Sequence, residues 1–158
     1  MTLEELEKKF KVAEDIEEIK KLHYRYMNCL NFSKWDEITE CFAENIELDL
    51  GEGSEKGRIT KGKTEVGKLF KEGISKVHTG KEGLFIVHPI ISVDGDTATG
   101  TWTSYFMHIR SRGEDPLLHW MQGTYDCRYI REKGKWKFGI LKWRSHLKYR
   151  QSQMQVVP

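Results

Sequence analysis

Apolar residues recur every three or four positions through the first part of the chain and every second position through the last half, and the two periods predict two layers. Between residues 14 and 30, Ile16, Ile19, Leu22, His23, Tyr26 and Leu30 fall on one inward-facing stripe of a long helix. Tyr26 is thereby a hydroxyl pointed at an interior. A charged helical lead over residues 1–13 keeps Leu3, Leu6, Phe10 and Ala13 at helical spacing, and is expected to pack on the body or on a partner subunit. Asn31 marks a corner, and either Asn31 or Ser33 is placed to cap a short helix over residues 34–41 that carries Trp35 and Asp36. Ile46, Leu48 and Leu50 then alternate with Asn45, Glu47 and Asp49, which is the period of a half-buried strand.

The following stretch, GEGSEKGRITKGK, reads as a glycine-rich loop with a short strand at 58–60, and its glycines fail the G-x-G-x-x-G pattern. A third helix over 64–76 buries Val66, Leu69, Phe70 and Ile74, and the connection HTGKEG ends it. Four long alternating strands follow, at 84–93, 97–110, 117–131 and 136–149. They are joined by the turn Asp94-Gly95-Asp96, the loop SRGEDP and the turn Glu132-Lys133-Gly134-Lys135. Helices first and a meander afterwards predict an α+β domain, its helices packed in the concavity of a strongly curved antiparallel sheet. The chain reads as a single domain over 1–158, with 1–13 as a helical extension and 150–158 as a tail.

Composition narrows the function classes. The chain has 158 residues, 38% hydrophobic and 32% charged, and no apolar run approaches the ~20 residues of a bilayer span. A charged start without an apolar h-region points to a cytoplasmic protein, so the sequon Asn31-Phe32-Ser33 carries no weight. Cys29, Cys41 and Cys127 lack C-x-x-C spacing and read as reduced, buried thiols. Basic residues interleave with Trp136, Phe138, Trp143 and Tyr149 near the C-terminus, as a nucleic-acid surface would require. Strand alternation instead buries the aromatics and solvates the lysines, and a net charge of +2 is small, so no nucleic acid and no membrane is expected as partner. No H-E-x-x-H or clustered Cys/His spacing predicts a metal, and there is no G-x-S-x-G elbow.

The order of elements, together with IKKLHYRYMNCLNFSKWDEITECFAENIELDL, VDGDTATGTW and GTYDCRYIREKGKWKF, resembles the SnoaL-like branch of the nuclear transport factor 2-like superfamily. Within it the likeness is closest to the bile-acid 7α-dehydratases and, more distantly, to the scytalone dehydratases. The resemblance covers roughly residues 14 to 145. It implies a cone-shaped domain with an internal pocket for a small apolar molecule, a homodimer or homotrimer, and chemistry without a cofactor. Elimination of water beside a carbonyl needs a base for the α-proton, a donor for the enolate and a partner that orients the base. The resemblance implies Tyr26 as donor. Asn31 stands where the family carries an aspartate, and Leu84 where it carries the catalytic histidine. Asn31 can orient a histidine by hydrogen bonding but cannot lend it negative charge.

His88, an even number of residues beyond Leu84, is expected on the same strand face, and His108 matches the second histidine of scytalone dehydratase in its offset from Gly100. Trp102, Ser104, Phe106 and His108 share one face of their strand; Thr101, Thr103, Tyr105 and Met107 share the other. Alternation leaves open which of the two faces the pocket. Tyr125 shares a face with His119, Met121 and Cys127. Arg144, near a functional arginine of the bile-acid enzyme, could hold a substrate oxygen. Candidate catalytic residues are thus Tyr26, Asn31, His88 and His108, and candidate substrate-binding residues Leu84, Trp102, Phe106, Tyr125 and Arg144. Two functions follow: a dehydratase or isomerase acting on a hydroxylated or keto ring compound, or a ligand-binding or assembly module that keeps the fold without the chemistry.

Overall fold

The computed structural model describes residues 1–51, 57–78, 80, 82–112 and 115–151. The centre of the glycine-rich loop, positions 79 and 81, the tip of SRGEDP and the tail beyond 151 therefore lie outside the described residues. Lead and main helix form one element, α1 (Leu3–Asn31). Its start is set by a capping box: the Thr2 hydroxyl accepts from the Glu5 amide at 3.2 Å, and the Glu5 carboxylate accepts from the Thr2 amide at 2.8 Å. From Asp15 onward the inward stripe is buried, with Ile19, His23, Tyr26, Met27 and Leu30 on it. The lead does not pack on the body, for Leu3 and Phe10 are 72% and 64% exposed.

The corner after α1 departs from expectation. Lys34 precedes α2 (Trp35–Ile38) without a side-chain cap, Ser33 adopts φ 53°, and the Asn31 side chain is engaged elsewhere. A 3-10 turn, Thr39–Cys41, completes the second helix. The third helix is α3 (Lys63–Lys68), prolonged by a π turn at Leu69–Gly73 and a 3-10 turn at Ile74–Lys76. It buries Val66 and Phe70 against the core.

Six strands form one sheet: β1 (Phe42–Gly51), β2 (Ile59–Lys61), β3 (Gly83–Asp94), β4 (Thr97–Arg112), β5 (Asp115–Glu132) and β6 (Lys135–Gln151), in the order β2-β1-β6-β5-β4-β3. The meander β3 to β6 is antiparallel throughout. However, β1 pairs with β6 in parallel, so the sheet is mixed where alternation alone suggested an antiparallel one. Parallel neighbours need a long crossover, and here the whole segment from β2 to β5 serves as that crossover. The β4–β5 ladder runs on to Arg112 and Asp115, further than the strand ends expected from the sequence.

Burial settles the faces. Trp102, Ser104 and His108 on β4, and His119, Tyr125, Cys127 and Tyr129 on β5, point inward beneath α1. Trp136, Phe138 and Trp143 on β6 do the same, and so are not available as a stacking surface. The narrow end of the fold is tied by charge. Asp15 accepts from Arg131 at 2.6 Å and from the Trp136 indole at 3.1 Å, while Arg131 also donates to Asp96 at 2.9 Å and lies 4.4 Å over the Trp136 ring. Burial alone would raise the Asp15 pKa; the hydrogen bonds from Arg131, Trp136 and Lys11 outweigh it and hold the carboxyl below its usual range.

Candidate functional site

The C-terminal half of α1, the α3 segment and the inner faces of β4, β5 and β6 enclose a cavity of about 230 Å³. Leu30, Leu50, Phe70, Ile74, Leu84 and Met121 make most of its wall apolar. Its polar groups lie in two places. On one side are Tyr26 and Tyr125, both buried, their rings edge to face with centroids 6.1 Å apart. Burial pushes both phenol pKa values up, so both stay protonated and can donate. On the other side, toward the mouth, are His78 and His108.

Glu82, in the connection before β3, joins that second group. Its side chain is fully buried, with Oε1 3.6 Å from His108 Nδ1 and Oε2 3.9 Å from His78 Nδ1. The rings of His78 and His108 lie 5.0 Å apart, and His119, the cross-strand partner of His108, is 6.5 Å from it. Burial lowers the His78 pKa, partly offset by the Glu82 charge. The mouth thus holds two imidazoles around a carboxylate beside an apolar cavity.

Trp143 completes the wall because β5 makes room for it. A Cβ on Gly123 would meet the Arg144 carbonyl oxygen at 2.4 Å and Trp143 Nε1 at 2.7 Å, so only glycine admits the indole here. The indole then donates to Ser104 Oγ at 2.9 Å and stacks on Phe106 at 5.1 Å.

The structure brings Tyr26, Leu84, Phe106, His108 and Tyr125 together around the cavity. Trp102 is one layer deeper, its indole donating to the Tyr129 hydroxyl at 2.8 Å. Three residues lie apart. His88 is exposed at a bulge between Val87 and Ile90, with φ 52°, so the two-residue alternation that would have carried it inward is broken beside Pro89. Asn31 donates to the Leu84 carbonyl at 2.7 Å and accepts from the Leu84 amide at 2.8 Å, which leaves its amide fastening α1 to β3 rather than facing a histidine. Arg144 points away from the cavity and chelates Asp49, at 2.5 Å and 3.1 Å. Asp49, expected on the solvated face of its strand, is buried by that pair.

His78 and Glu82 escaped the sequence reading because they sit in an irregular connection where no period applies. The one signal was their own separation of four residues in a segment without other chemistry. A further buried histidine, His23, is closed off from the cavity. Its Nδ1 is 3.2 Å from the Tyr129 hydroxyl, and the rings of Trp102, Tyr125 and Phe138 surround it at 4.6 to 5.1 Å. Burial drives its pKa down to about 3.

Comparison with known proteins agrees with this architecture. A family model described as a SnoaL-like domain matches residues 11–142. Among solved structures, hexachlorocyclohexane dehydrochlorinase LinA-type3 from Novosphingobium barchaimii is 15% identical, covers 92% of this chain and 96% of its own, and superposes with a TM-score of 0.76. A candidate scytalone dehydratase from Novosphingobium aromaticivorans is 15% identical over 91% of both chains, with a TM-score of 0.73. A protein of unknown function from Mycobacterium tuberculosis is 20% identical over 85% of this chain and 73% of its own, with a TM-score of 0.69. At these identities the likeness shows a shared fold.

Proposed function

The chain belongs to the SnoaL-like domain family, and from that premise we propose that it is a lyase of the dehydratase type, or an isomerase, acting on a small hydroxylated or keto ring compound bound in the cavity. The observation that carries this is the juxtaposition of a buried carboxylate, Glu82, with His108 across an apolar space from two protonated phenols. In this reading His108 takes the proton beside the substrate carbonyl. Glu82 stabilises the imidazolium that forms, supplying the charge that Asn31 lacks. The developing enolate oxygen accepts hydrogen bonds from Tyr26 and Tyr125, which low dielectric strengthens. The β-hydroxyl then leaves with a proton returned from the imidazolium, so the net change is loss of water; return of the proton to carbon instead gives isomerisation. The shared fold with a candidate scytalone dehydratase supports a lyase, and the substrate class proposed follows from the resemblance of the sequence to dehydratases of this branch.

The test is turnover of β-hydroxy ketones of steroid and polyketide type by the purified protein and by Tyr26→Phe, His108→Gln and Glu82→Gln. Each substitution is expected to lower kcat by about 10²-fold or more, in line with loss of one acid–base or oxyanion group. Rates unchanged in all three sink the assignment. A second reading has its own observation in support: the positions of the family's aspartate and histidine, Asn31 and Leu84, are hydrogen bonded to each other as a structural fastening. A protein that binds such ring compounds without converting them is the outcome that reading expects.

The same proposal includes self-association through the outer face of the sheet. Phe85 stacks on Tyr105 at 5.5 Å there, with Trp120, Leu147 and Tyr149 exposed on the neighbouring strands. Among the described residues no helix is long and apolar enough to cross a membrane.

A further inference from the structure

The side chains at the mouth form the donor set of a transition-metal site, and we propose that His78, Glu82 and His108 bind a divalent cation of the zinc type. Their ligand atoms all lie within 4.8 Å of one another. A tetrahedral ion with bonds of about 2.0–2.2 Å holds its donors about 3.3–3.6 Å apart. The contacts of His108 and His78 with the two oxygens of Glu82, at 3.6 and 3.9 Å, approach that spacing, and closing the set draws the donors inward by about 1 Å. Two imidazoles and one carboxylate suit zinc and the later first-row ions and disfavour magnesium and calcium, which take oxygen.

Two observations taken together point to a ligand at this cluster. The Nδ1 atom of His78 is buried and makes no hydrogen bond, as is true of His23 Nε2, but here the ring nitrogen lies 3.9 Å from a carboxylate oxygen, where a cation would bridge the two. The cluster also abuts the cavity, since His78 and His108 belong to its wall. Three protein donors leave the remaining position turned toward that space, where a water or a substrate oxygen completes the coordination. The three residues come from an irregular connection and from β4, so no linear motif announces them.

This goes beyond the acid–base reading and does not rest on it. The two meet at His108, whose ring cannot both take a substrate proton and hold a metal through the same nitrogen. A bound ion therefore competes with proton transfer, and Zn²⁺ is expected to suppress turnover by the metal-free protein.

The experiment is titration of chelator-treated protein with Zn²⁺ by calorimetry and with Co²⁺ by visible absorption, neither of which needs a substrate. One ion per chain with the absorption of four- or five-coordinate cobalt is expected. His78→Ala and the isosteric Glu82→Gln are expected to weaken binding by ~100-fold or more, since removing a direct ligand costs at least as much as removing a supporting group. His88→Ala, at an exposed site, leaves binding unchanged. Should a variant fold poorly, the wild-type melting temperature decides instead, and it is expected to rise with Zn²⁺ by linkage. Absence of saturable binding to the wild type, no rise in its melting temperature, or binding that survives both substitutions overturns the proposal. Because these readouts ignore turnover, their failure leaves the lyase reading standing, and loss of the lyase reading leaves them intact.

Discussion

The two ends of the cone bury polar groups in opposite ways. At the closed end, Asp15, Arg131 and Trp136 satisfy one another, and His23 shares the Tyr129 hydroxyl with Trp102 inside a shell of aromatic rings. Beside the cavity, His78, Glu82 and His108 gather at ion-pair distances around space that a ligand can enter. His23 and His108 are both buried histidines, one on the helix stripe and one on the sheet face beneath it. What separates a structural histidine from a candidate for chemistry is therefore not burial. It is access to a cavity together with a charged neighbour that can respond when the ring gains a proton.

Acid should break the closed end first and by the largest amount. The folded state holds the His23 pKa near 3, below the ordinary value of 6.5, so the neutral ring's contribution is full above pH 6.5 and is lost as pH falls toward 3. The shift corresponds to roughly 5 kcal/mol at the acid limit. His78, also lowered, adds to the loss in the same direction. Asp15 and Asp49 are held below 3.8, so their contribution is present above that value and fades only as pH drops through their folded pKa values. Denaturant midpoints measured from pH 7 to pH 4 should fall steeply in the wild type and much less in His23→Met. Parallel curves would refute the assignment of the acid loss to His23.

A smaller change sharpens the same contrast at neutral pH. Tyr129→Phe removes the hydroxyl that serves both His23 Nδ1 and the Trp102 indole, and is expected to cost about 2–4 kcal/mol by leaving two buried groups unsatisfied. Chemical denaturation measures it, and a loss under about 1 kcal/mol would mean that water enters the closed end. The smallest expected effect lies beside the cavity. Asn31→Asp introduces the carboxylate that the sequence resemblance implies there but removes the donor to the Leu84 carbonyl, setting two oxygens against each other. A stability loss of about 1–2 kcal/mol with no gain in turnover is expected. A gain in turnover would show that the fastening can yield and that the aspartate position still reaches the chemistry.

The layers were legible in the sequence because they obey simple periods. The α1 stripe, the alternation along β4 to β6 and the Asp94-Gly95-Asp96 turn all appear where periodicity places them. The candidate site was legible only where it lies on those elements, as Tyr26, Phe106, His108 and Tyr125 do. His88 was misplaced because a bulge inverts the alternation at one residue. Asp49 was misplaced because its partner, Arg144, is 95 residues away, a distance that no local pattern spans. His78 and Glu82 required the tertiary structure, since only the folded chain makes them neighbours of His108.

The parallel pairing of β1 with β6 has a kinetic consequence. During synthesis β1 emerges well before the strand that completes its ladder, and the arginine that neutralises Asp49 follows it by 95 residues. Long-range closure of this kind is slow, and until it occurs β1 presents an open edge next to a buried-type carboxylate. The sheet therefore closes only once β6 is available, and the interval between the emergence of β1 and that of β6 is when β1 is most exposed to aggregation.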